Sequence, residues 1–359
     1  MTHLAATEIP RAFIWKGEYL HLLDQTRLPL EQHWLTLRNL DEVAEAIKML
    51  RVRGAPAIGV AAAYGVVLEI RNFRQKEADK WLNRLLQITE ILRQTRPTAV
   101  NLFHCMDRMD RAARSYVESL SHPQVNPAEA ASRMEEVAVA IHREDEDLCN
   151  RMGSHGADLI QDGNSILTHC NAGAVATGGL GTALAAIYKA HLSGKTIQVY
   201  ADETRPLLQG GRITAWELFE AGIPVKLITD SMAASVMADG KIDLILVGAD
   251  RIASNGDTAN KIGTLGLAVM AHHFGIPMYI VAPTTTLDPS LDSGKEIVIE
   301  ERNADEVRQF QGLYSAPAEV DVFNPAFDVT GGDLISGIVT ELGIHRPPYD
   351  FRTLLARQS

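Results

Sequence analysis

Hydrophobic residues recur at helical spacing through the first half of the chain. In "NLDEVAEAIKML" and "KWLNRLLQITEILRQ", apolar residues return every three to four positions, as the buried face of an amphipathic helix requires. Asn39 and Glu42 in the first segment have the spacing of a capping box, which favours a helix start there. Before them, the strand-like runs "AFIWKG" and "YLHLLDQTRLP" predict a hairpin. Further helices are predicted over "GVAAAYGVVLEI", over "NLFHCMDRMDRAARSYVESL" and from about Pro127 to about Ile160.

After Gly163 the pattern changes to short, continuous apolar runs rich in β-branched residues. The runs are "SILTHC", "IQVYA", "PVKLIT", "DLILVGA" and "PMYIVAP", and segments compatible with helices separate them. Wholly apolar strands that alternate with helices are typical of a parallel sheet covered on both faces. We therefore predict an α/β protein with a mainly helical N-terminal domain (1–150) that carries a small antiparallel sheet. The C-terminal domain (151–359) is predicted to be a doubly wound, Rossmann-like parallel sheet.

This fold predicts where a ligand binds, because open α/β sheets hold ligands in the crevice beyond the carboxyl ends of their strands. The strand "SILTHC" ends on Cys170 beside a loop of small residues, and Asp250 directly follows "DLILVGA". A helix N-terminus near a thiol favours the thiolate, and a carboxyl enclosed by an apolar strand end has its pKa raised by desolvation. Structural roles also explain both residues: a buried apolar thiol for Cys170, and a salt bridge or helix cap for Asp250.

Three further segments have the composition of an anion-binding site. Arg53 and Gly54 directly precede an Ala-rich helix, and Arg96 lies in the similar stretch "TRPTAVN". Asn260 and Lys261 are predicted at the start of another helix, where backbone N–H groups and an ammonium group favour an anion. Solvated surface charges and tight packing are the alternative explanations for these residues.

The net charge, the hydropathy and the residue types of the chain limit the kinds of molecule that we expect it to bind. The formal net charge of -11 at pH 7 argues against non-specific binding to nucleic acid, which demands a basic surface. No apolar run reaches the length of a transmembrane helix and the N-terminus lacks a signal-peptide pattern, so we expect a cytoplasmic protein without membrane contact. Three widely spaced cysteines and twelve histidines outside any ligand pattern predict neither a disulfide nor a metal site. The glycines of 178–181 form no dinucleotide fingerprint, and no cofactor is predicted.

Six motifs together give the chain a specific resemblance to a known family. They are "RGAPAIG", "TRPTAVNL", "THCNAGA", "ETRPLLQGGRITAWEL", "GADRIASNGDTANKIGT" and "NPAFDVT", which occur in the expected order between about residue 12 and about residue 345. The chain resembles the methylthioribose-1-phosphate isomerases of methionine salvage. Their wider family includes the ribose-1,5-bisphosphate isomerases and the regulatory subunits of initiation factor 2B. One departure, Gly331 where a proline is commoner, affects a turn and not the site.

The resemblance implies an aldose–ketose isomerase that converts 5-methylthioribose 1-phosphate to 5-methylthioribulose 1-phosphate without a cofactor, and it implies a homodimer. It also implies that Cys170 and Asp250 are the catalytic pair. The residues that it implies as substrate contacts are Arg53, Gly54, Ala55, Arg96, Gln209, Asn260 and Lys261. Two other activities stay open, a ribose-1,5-bisphosphate isomerase and a regulatory subunit that binds a phosphorylated ligand. The joint presence of the catalytic pair favours an enzyme, and the hydrogen can move as a proton or as a hydride.

Overall fold

The computed structural model describes residues 8–96, 99–310 and 312–356, and its contacts divide the chain into two compact units. The N-terminal unit comprises residues 10–147 and 174–181. The C-terminal unit comprises residues 8–9, 148–173 and the described residues from 182 onward. The chain therefore leaves the C-terminal unit after Gly173 and returns to it at Thr182. A single linear boundary, such as the predicted one at residue 150, does not represent this excursion.

The N-terminal unit combines a small antiparallel sheet with long helices, as the hydrophobic spacing predicts. The hairpin and the helices are confirmed, whereas the third strand of the sheet was not predicted. The Asn39 side chain accepts a hydrogen bond from the backbone of Glu42 and caps the first helix. The elements are β1 (Phe13–Trp15), β2 (Leu20–Leu23), β3 (Trp34–Leu37), α1 (Leu40–Lys48), α2 (Ala55–Ile70), α3 (Ala78–Arg93), α4 (Val100–Glu118) and α5 (Pro127–Ala157), of which α5 continues into the other unit.

Helix α2 is the core of this unit, and almost all of its side chains are buried. Two glycines let neighbouring helices approach it closely. A Cβ atom at Gly59 would lie 2.7 Å from the Sγ of Cys105 on α4, and one at Gly65 would lie 2.9 Å from Val43 on α1. Although α2 is apolar on all sides, no helix among the described residues has both the length and the hydropathy needed to cross a membrane.

The C-terminal unit is built on a seven-stranded sheet with helices in its connections. Five of its strands are the predicted apolar runs, and all five pair in parallel, which confirms the predicted fold class. The elements up to the fifth of these strands are β4 (Ser165–Thr168), α6 (Ala183–Leu192), β5 (Gln198–Asp202), α7 (Ala215–Glu220), β6 (Val225–Ile228), α8 (Ala233–Ala238), β7 (Leu244–Val247), β8 (Arg251–Ala253), β9 (Thr258–Lys261), α9 (Thr264–Phe274) and β10 (Met278–Val281).

The remaining strands complete this sheet, join β8 and β9 in a second one and add a separate antiparallel pair. They are β11 (Leu287–Asp288), β12 (Gln309–Phe310), β13 (Leu313–Tyr314), β14 (Phe327–Thr330), β15 (Gly337–Thr340) and β16 (Gly343–His345), with α10 (Asp305–Arg308) and α11 (Phe351–Ala356). The order in the large sheet is β16-β15-β10-β7-β4-β5-β6, and only the edge pair β15 and β16 is antiparallel. A second sheet of order β11-β8-β9-β14 was not predicted.

This second sheet corrects one prediction about the site. Asn260 and Lys261 were expected at the start of a helix, but they end strand β9, and α9 begins only at Thr264. Strand β9 lies between β8 and β14 and pairs antiparallel with both. Gly263, with φ +108°, then turns the chain into the helix, a conformation that favours glycine.

Candidate active site

Cys170 and Asp250 follow neighbouring strands of the seven-stranded sheet. Strands β4 and β7 pair directly and in parallel. Cys170 lies two positions after the end of β4 and Asp250 three positions after the end of β7. Because parallel strands present their carboxyl ends at one edge of a sheet, both residues lie at the edge where ligands bind in this class of fold. The structure thus places the two residues predicted as a catalytic pair after adjacent strands, at the same edge of the sheet.

The backbone of Cys170 is held on both sides by threonine hydroxyl groups. Its N–H group donates to the Oγ1 atom of Thr204 at 2.8 Å, and its carbonyl accepts from the Oγ1 atom of Thr214 at 2.6 Å. The residue is half-buried, whereas Cys105 and Cys149 are buried. Cys170 is therefore the most accessible thiol of the three, and hydrogen bonds hold its backbone on both sides.

Backbone conformations that disfavour side chains are concentrated around this thiol. Among the described residues, four non-glycine residues have a left-handed φ, and three of them are Cys170 (62°), Thr204 (64°) and Leu208 (57°). Each such residue costs roughly 1–3 kcal/mol and persists only where its surroundings impose it. Strain of this kind is typical of active sites, so this cluster supports a functional role for the segments after β4 and β5.

Gln209 directly follows these strained residues and begins the irregular turn Gly210–Thr214. Its side chain is 7% exposed, and its Oε1 atom accepts no hydrogen bond from the described residues. The turn lies close against β5, since a Cβ atom at Gly210 would lie 1.7 Å from the carbonyl oxygen of Asp202. A buried acceptor without a donor is unfavourable, and a ligand hydroxyl group is the kind of donor that would satisfy it.

His169, directly before Cys170, joins three parts of the C-terminal unit. Its Nδ1 atom lies 2.9 Å from a carboxylate oxygen of Asp202, and its Nε2 atom lies 2.9 Å from the carbonyl oxygen of Ile262. Burial alone would lower the pKa of the imidazole, but the hydrogen bond and the charge of Asp202 outweigh it, and the pKa is raised. The ring thereby links the ends of β4 and β5 to the turn before α9.

The same histidine belongs to a cluster with the spacing of metal ligands. One ligand atom from each of His169, Asp202 and Asp230 lies within 4.8 Å of the others. The two oxygens of Asp230 accept hydrogen bonds from the backbone N–H groups of Thr204 and Arg205, at 2.8 and 2.7 Å. Since both ring nitrogens of His169 also have partners, hydrogen bonds within the protein account for this cluster.

Asp250 has surroundings that differ from the predicted ones. The whole of β7 is buried, but Asp250 itself is exposed. The expectation that an apolar strand end encloses its carboxyl group is therefore wrong, because the chain reaches solvent within three residues of the strand. The backbone N–H group of Asp250 donates to the carbonyl oxygen of Ala259 on β9 at 2.9 Å, which places it beside Asn260.

Asn260 and Lys261 make contacts within the second sheet and the turn after it. The Nδ2 atom of buried Asn260 donates to the Oγ1 atom of Thr264 at 3.0 Å. The ammonium group of Lys261 donates to the carbonyl oxygen of Ala326 at 2.8 Å and lies 4.4 Å from the ring centre of Phe327. The ammonium group therefore has a defined position, and it is not a freely solvated surface charge.

The N-terminus of α9 is capped by a carboxylate from another part of the protein. The carboxylate of Asp328, on β14, accepts hydrogen bonds from the N–H groups of Gly263 at 2.7 Å and Leu265 at 3.1 Å. Burial raises the pKa of Asp328, and these two hydrogen bonds act in the opposite direction. The expected anion site at the start of this helix is therefore occupied by a side chain from the motif "NPAFDVT".

The remaining predicted residues lie in the N-terminal unit. Arg53 and Gly54 directly precede α2, and Ala55 is its first residue. Gly54 has φ +93°, and a Cβ atom there would lie 2.3 Å from the carbonyl oxygen of Ala176. The prediction that small residues lead into a helix N-terminus is thereby confirmed, and the glycine is required by both conformation and space.

Arg96 lies in the turn between α3 and α4 and is half-buried. Its motif "TRPTAVNL" is only partly described, since Pro97 and Thr98 lie outside the described residues. Arg96 and the three residues around α2 thus belong to the N-terminal unit, whereas the other five predicted site residues belong to the C-terminal unit.

The excursion 174–181 is anchored within the N-terminal unit by three polar side chains. Gln25 donates from Nε2 to the carbonyl oxygen of Val175 at 2.7 Å. Gly178 donates its N–H to the carboxylate of Asp145 at 2.6 Å, and its carbonyl oxygen lies 3.0 Å from the Nε2 atom of His142. Burial raises the pKa of Asp145 to about 6.

Sequence reasoning did not single out Thr214 and Glu217 as site residues. Glu217, on α7, is fully buried and accepts hydrogen bonds from Asn171 at 2.6 Å and from Tyr188 at 3.1 Å. The one available signal was a carboxylate inside the apolar run "ITAWELF", since carboxylates are almost never fully buried without partners. Its connection to Cys170 depends on the tertiary structure.

Comparisons with known proteins cover almost the whole chain. The model of the Initiation factor 2 subunit family matches residues 51–347. The methylthioribose-1-phosphate isomerase of Pelotomaculum thermopropionicum is 53% identical over 337 residues, which cover 94% of this chain and 91% of that protein. The similarity therefore includes both units.

Solved structures of similar proteins have the same fold over almost the whole chain. The structure of 5-methylthioribose 1-phosphate isomerase from Pyrococcus horikoshii matches with a TM-score of 0.91 at 43% identity, covering 98% of this chain and 97% of that one. A structure described as translation initiation factor eIF-2B, subunit delta, from A. fulgidus matches with a TM-score of 0.87 at 41% identity, covering 96% and 99%. Proteins named for two different roles thus share this fold.

Proposed function

The chain belongs to the initiation factor 2 subunit family, and we propose that it is an aldose–ketose isomerase of methionine salvage. It converts 5-methylthioribose 1-phosphate to 5-methylthioribulose 1-phosphate. The observation that carries the proposal is the 53% identity to a methylthioribose-1-phosphate isomerase over 94% of the chain. The positions of Cys170 and Asp250 after adjacent parallel strands support it, because both side chains follow strands that end at the ligand-binding edge.

The first chemical step opens the sugar ring. The oxygen on the anomeric carbon of the substrate carries the phosphate, so the ring cannot open spontaneously to a free aldehyde. Breaking the bond between C1 and the ring oxygen keeps the phosphate ester and leaves C1 as an electron-poor oxocarbenium carbon. An acid that protonates the ring oxygen assists this step, and we propose Asp250 for that role. Asp250 is exposed, so in this role the bound substrate itself covers the carboxyl group and excludes water from it. The charge and bulk of a bound phosphate ester favour the protonated form of a nearby carboxyl group.

The second step moves hydrogen from C2 to C1 while the C2 hydroxyl group loses its proton and becomes the ketone. In the proton route, Cys170 takes or relays the C2 proton, or stabilises charge on the enediol oxygen. In the hydride route, the hydrogen moves directly, and the protein supplies only a dry pocket and polarising groups. Deuterium uptake at C1 in heavy water supports the proton route, and no uptake over many turnovers supports the hydride route.

Within the C-terminal unit, we propose Gln209, Asn260 and Lys261 as contacts of the sugar phosphate. The unsatisfied Oε1 atom of Gln209 supports this role, since a sugar supplies hydroxyl donors. The fixed ammonium group of Lys261 supports binding of negative charge, with its position set by Ala326 and Phe327.

Within the N-terminal unit, we propose that Arg53, Gly54, Ala55 and Arg96 contact a phosphate group. The start of α2 has no acidic residue in its first turn, so its N–H groups favour an anion and no nearby carboxylate on the helix opposes one. Gly54 keeps the backbone at this point free of a side chain.

A regulatory subunit is the second candidate, favoured by the 41% identity to the A. fulgidus protein described as an initiation factor subunit. One assay separates the possibilities. Purified protein is given 5-methylthioribose 1-phosphate or ribose 1,5-bisphosphate, and ketose formation is followed. We expect turnover of the first compound and a much lower kcat/KM for the second. The reverse preference would indicate the bisphosphate isomerase, and binding without turnover of either compound would indicate a regulatory subunit.

We also propose that the protein is a cytoplasmic homodimer. The family resemblance supports the dimer, and the metabolic activity of the relatives supports the cytoplasm as the compartment.

A further inference from the structure

Cys170 occupies a conformation that its own side chain disfavours. With φ +62°, it lies in the left-handed region, which favours glycine. A residue persists there only when its surroundings hold it, and the direction of its side chain then depends on those surroundings. The contacts that hold the two peptide groups of Cys170 therefore set the direction of its Cα–Cβ bond, from which the thiol extends.

On the carbonyl side, the hydrogen atoms can be assigned without ambiguity. The Thr214 hydroxyl has one proton, which it donates to the carbonyl oxygen of Cys170 at 2.6 Å. It therefore accepts from the Nδ2 atom of Asn171, 3.2 Å away. The second proton of that amide goes to the Oε1 atom of Glu217 at 2.6 Å. Because Glu217 only accepts, the direction of the whole chain of hydrogen bonds is fixed.

Glu217 is itself held firmly in the interior. It is fully buried, and the Tyr188 hydroxyl donates to its second oxygen at 3.1 Å. Its carboxylate also lies against the loop after Cys170, since a Cβ atom at Gly173 would lie 2.3 Å from its Oε1 atom. The carboxylate thus fixes both the Asn171 amide and the path of the chain at Gly173.

On the amide side, Thr204 has the corresponding role. Its hydroxyl accepts from the N–H of Cys170 at 2.8 Å and donates to the carbonyl oxygen of Asp202 at 3.1 Å. Its own N–H donates to Asp230 at 2.8 Å, which holds Thr204 at φ +64°. Both peptide groups of Cys170 are therefore bound by buried threonine hydroxyls from the segment after β5.

We propose that Thr204 and Thr214 are positioning residues whose hydroxyl groups set the direction of the Cys170 thiol, with Asn171 and Glu217 orienting Thr214. Neither threonine has to touch the substrate for this role. The effect on turnover rests on the proposed isomerase function, whereas the effect on the thiol itself does not.

The test compares valine and serine at position 214. Thr214→Val keeps the shape of the side chain and removes the hydroxyl, and Thr214→Ser keeps the hydroxyl. We expect Thr214→Val to lower kcat about tenfold or more with KM changed less than about threefold, because a misplaced catalytic group affects the transition state more than substrate binding. Thr214→Ser restores kcat to within about threefold of wild type, since the hydrogen bond to Cys170 returns.

A second measurement needs no substrate. The rate at which iodoacetamide alkylates Cys170 is followed by mass spectrometry, with the buried Cys105 and Cys149 as internal references. We expect Thr214→Val to change this rate at least about threefold and Thr214→Ser to restore it, because the rate depends on the position and surroundings of the thiol. Thermal unfolding is recorded for each variant so that only folded protein is compared.

Thr204→Val and Thr204→Ser repeat the comparison from the amide side of Cys170. The proposal is overturned if the folded valine variants keep wild-type kcat and alkylation rate, or if serine and valine lose activity equally. It is also overturned if both valine variants fail to fold while the serine variants fold, since the hydroxyls are then purely structural. A wild-type protein that does not turn over 5-methylthioribose 1-phosphate refutes the proposed function, and the alkylation rates still decide the positioning role.

Discussion

At Gly54 the N-terminal unit leaves no room for a side chain. We expect Gly54→Ala to destabilise the protein by about 3 kcal/mol or more, because the new Cβ atom combines a disfavoured φ with a clash against a backbone carbonyl. Gly17 is the matched control, since it has φ +79° in the same unit and open space around its missing Cβ. Gly17→Ala is expected to cost about 1 kcal/mol. Urea unfolding measures both variants, and equal losses would contradict the close approach at Gly54.

Asp145 is expected to make stability depend on pH. Burial raises its pKa to about 6, above the value of an unfolded chain, so the folded state holds this proton more tightly. The protonated carboxyl group therefore stabilises the folded state fully below about pH 4. This stabilisation, roughly 1–3 kcal/mol, is lost as the pH rises through about 6. Nearby Glu146 acts in the same direction, since its negative charge also disfavours ionisation of Asp145.

Asp145→Asn tests this dependence, because the amide oxygen can still accept from Gly178 and does not titrate. Urea unfolding of both proteins between pH 4 and pH 7 gives two stability profiles. Subtracting one profile from the other cancels the contributions of His142 and of the other groups that titrate in both proteins. We expect the free energy of unfolding of the variant to increase relative to that of wild type as the pH rises. Parallel profiles would show that Asp145 has an ordinary pKa in the folded state.

At the residue scale, the location of the proposed catalytic pair could be predicted and its surroundings could not. Cys170 and Asp250 follow apolar strands, and the ends of parallel strands meet at one edge by rule. The exposure of Asp250 and the burial of Glu217 depend on which segments cover them. Those segments come from distant parts of the chain, so the local pattern gives no sign that Asp250 is exposed, and for the burial of Glu217 it gives only the apolar run around that residue.

At the scale of elements, continuous apolar runs predicted five parallel strands because strands buried on both faces need no alternation. Strand β9 was missed because "TANK" is polar and lies in the smaller sheet. The turn before it, with Asn255 and Gly256, is a hairpin signal that could have identified β8 and β9. Without that hairpin, Asn260 and Lys261 were assigned to the helix that follows.

Helix α9 depends on a cap from outside its own sequence. Asp328→Ala is expected to destabilise the protein by about 1–2 kcal/mol, because it leaves two N–H groups at the helix start without their acceptor. Asp328→Asn keeps one oxygen acceptor and is expected to lose less stability than the alanine variant. Chemical unfolding of both variants measures the difference, and an alanine variant as stable as wild type would exclude a capping role for this carboxylate.

At the scale of the whole molecule, the excursion 174–181 joins the two units along the chain. Cys170 belongs to the C-terminal unit, and residues only four positions later pack within the N-terminal unit. The sequence pattern of this stretch consists of small residues and glycines, which predict a loop but not the unit to which it belongs. A linear division into domains therefore had no means of locating it.

The proposed homodimer is also a property of the whole molecule. We expect sedimentation equilibrium to give twice the mass of one chain at micromolar concentration, with no dependence on added substrate. A mass of one chain throughout the concentration range would contradict the dimer and leave the isomerase proposal unaffected.

Cys170 and Asp250 are proposed to act together in isomerising 5-methylthioribose 1-phosphate. The most direct measurement is the rate of 5-methylthioribulose 1-phosphate formation by wild type, Cys170→Ala and Asp250→Asn, each shown to be folded by its thermal unfolding. We predict turnover by wild type without added nucleotide or metal, and a loss in kcat of about 100-fold or more in each variant, as expected for a missing acid or base. Wild-type activity in either folded variant would contradict the account.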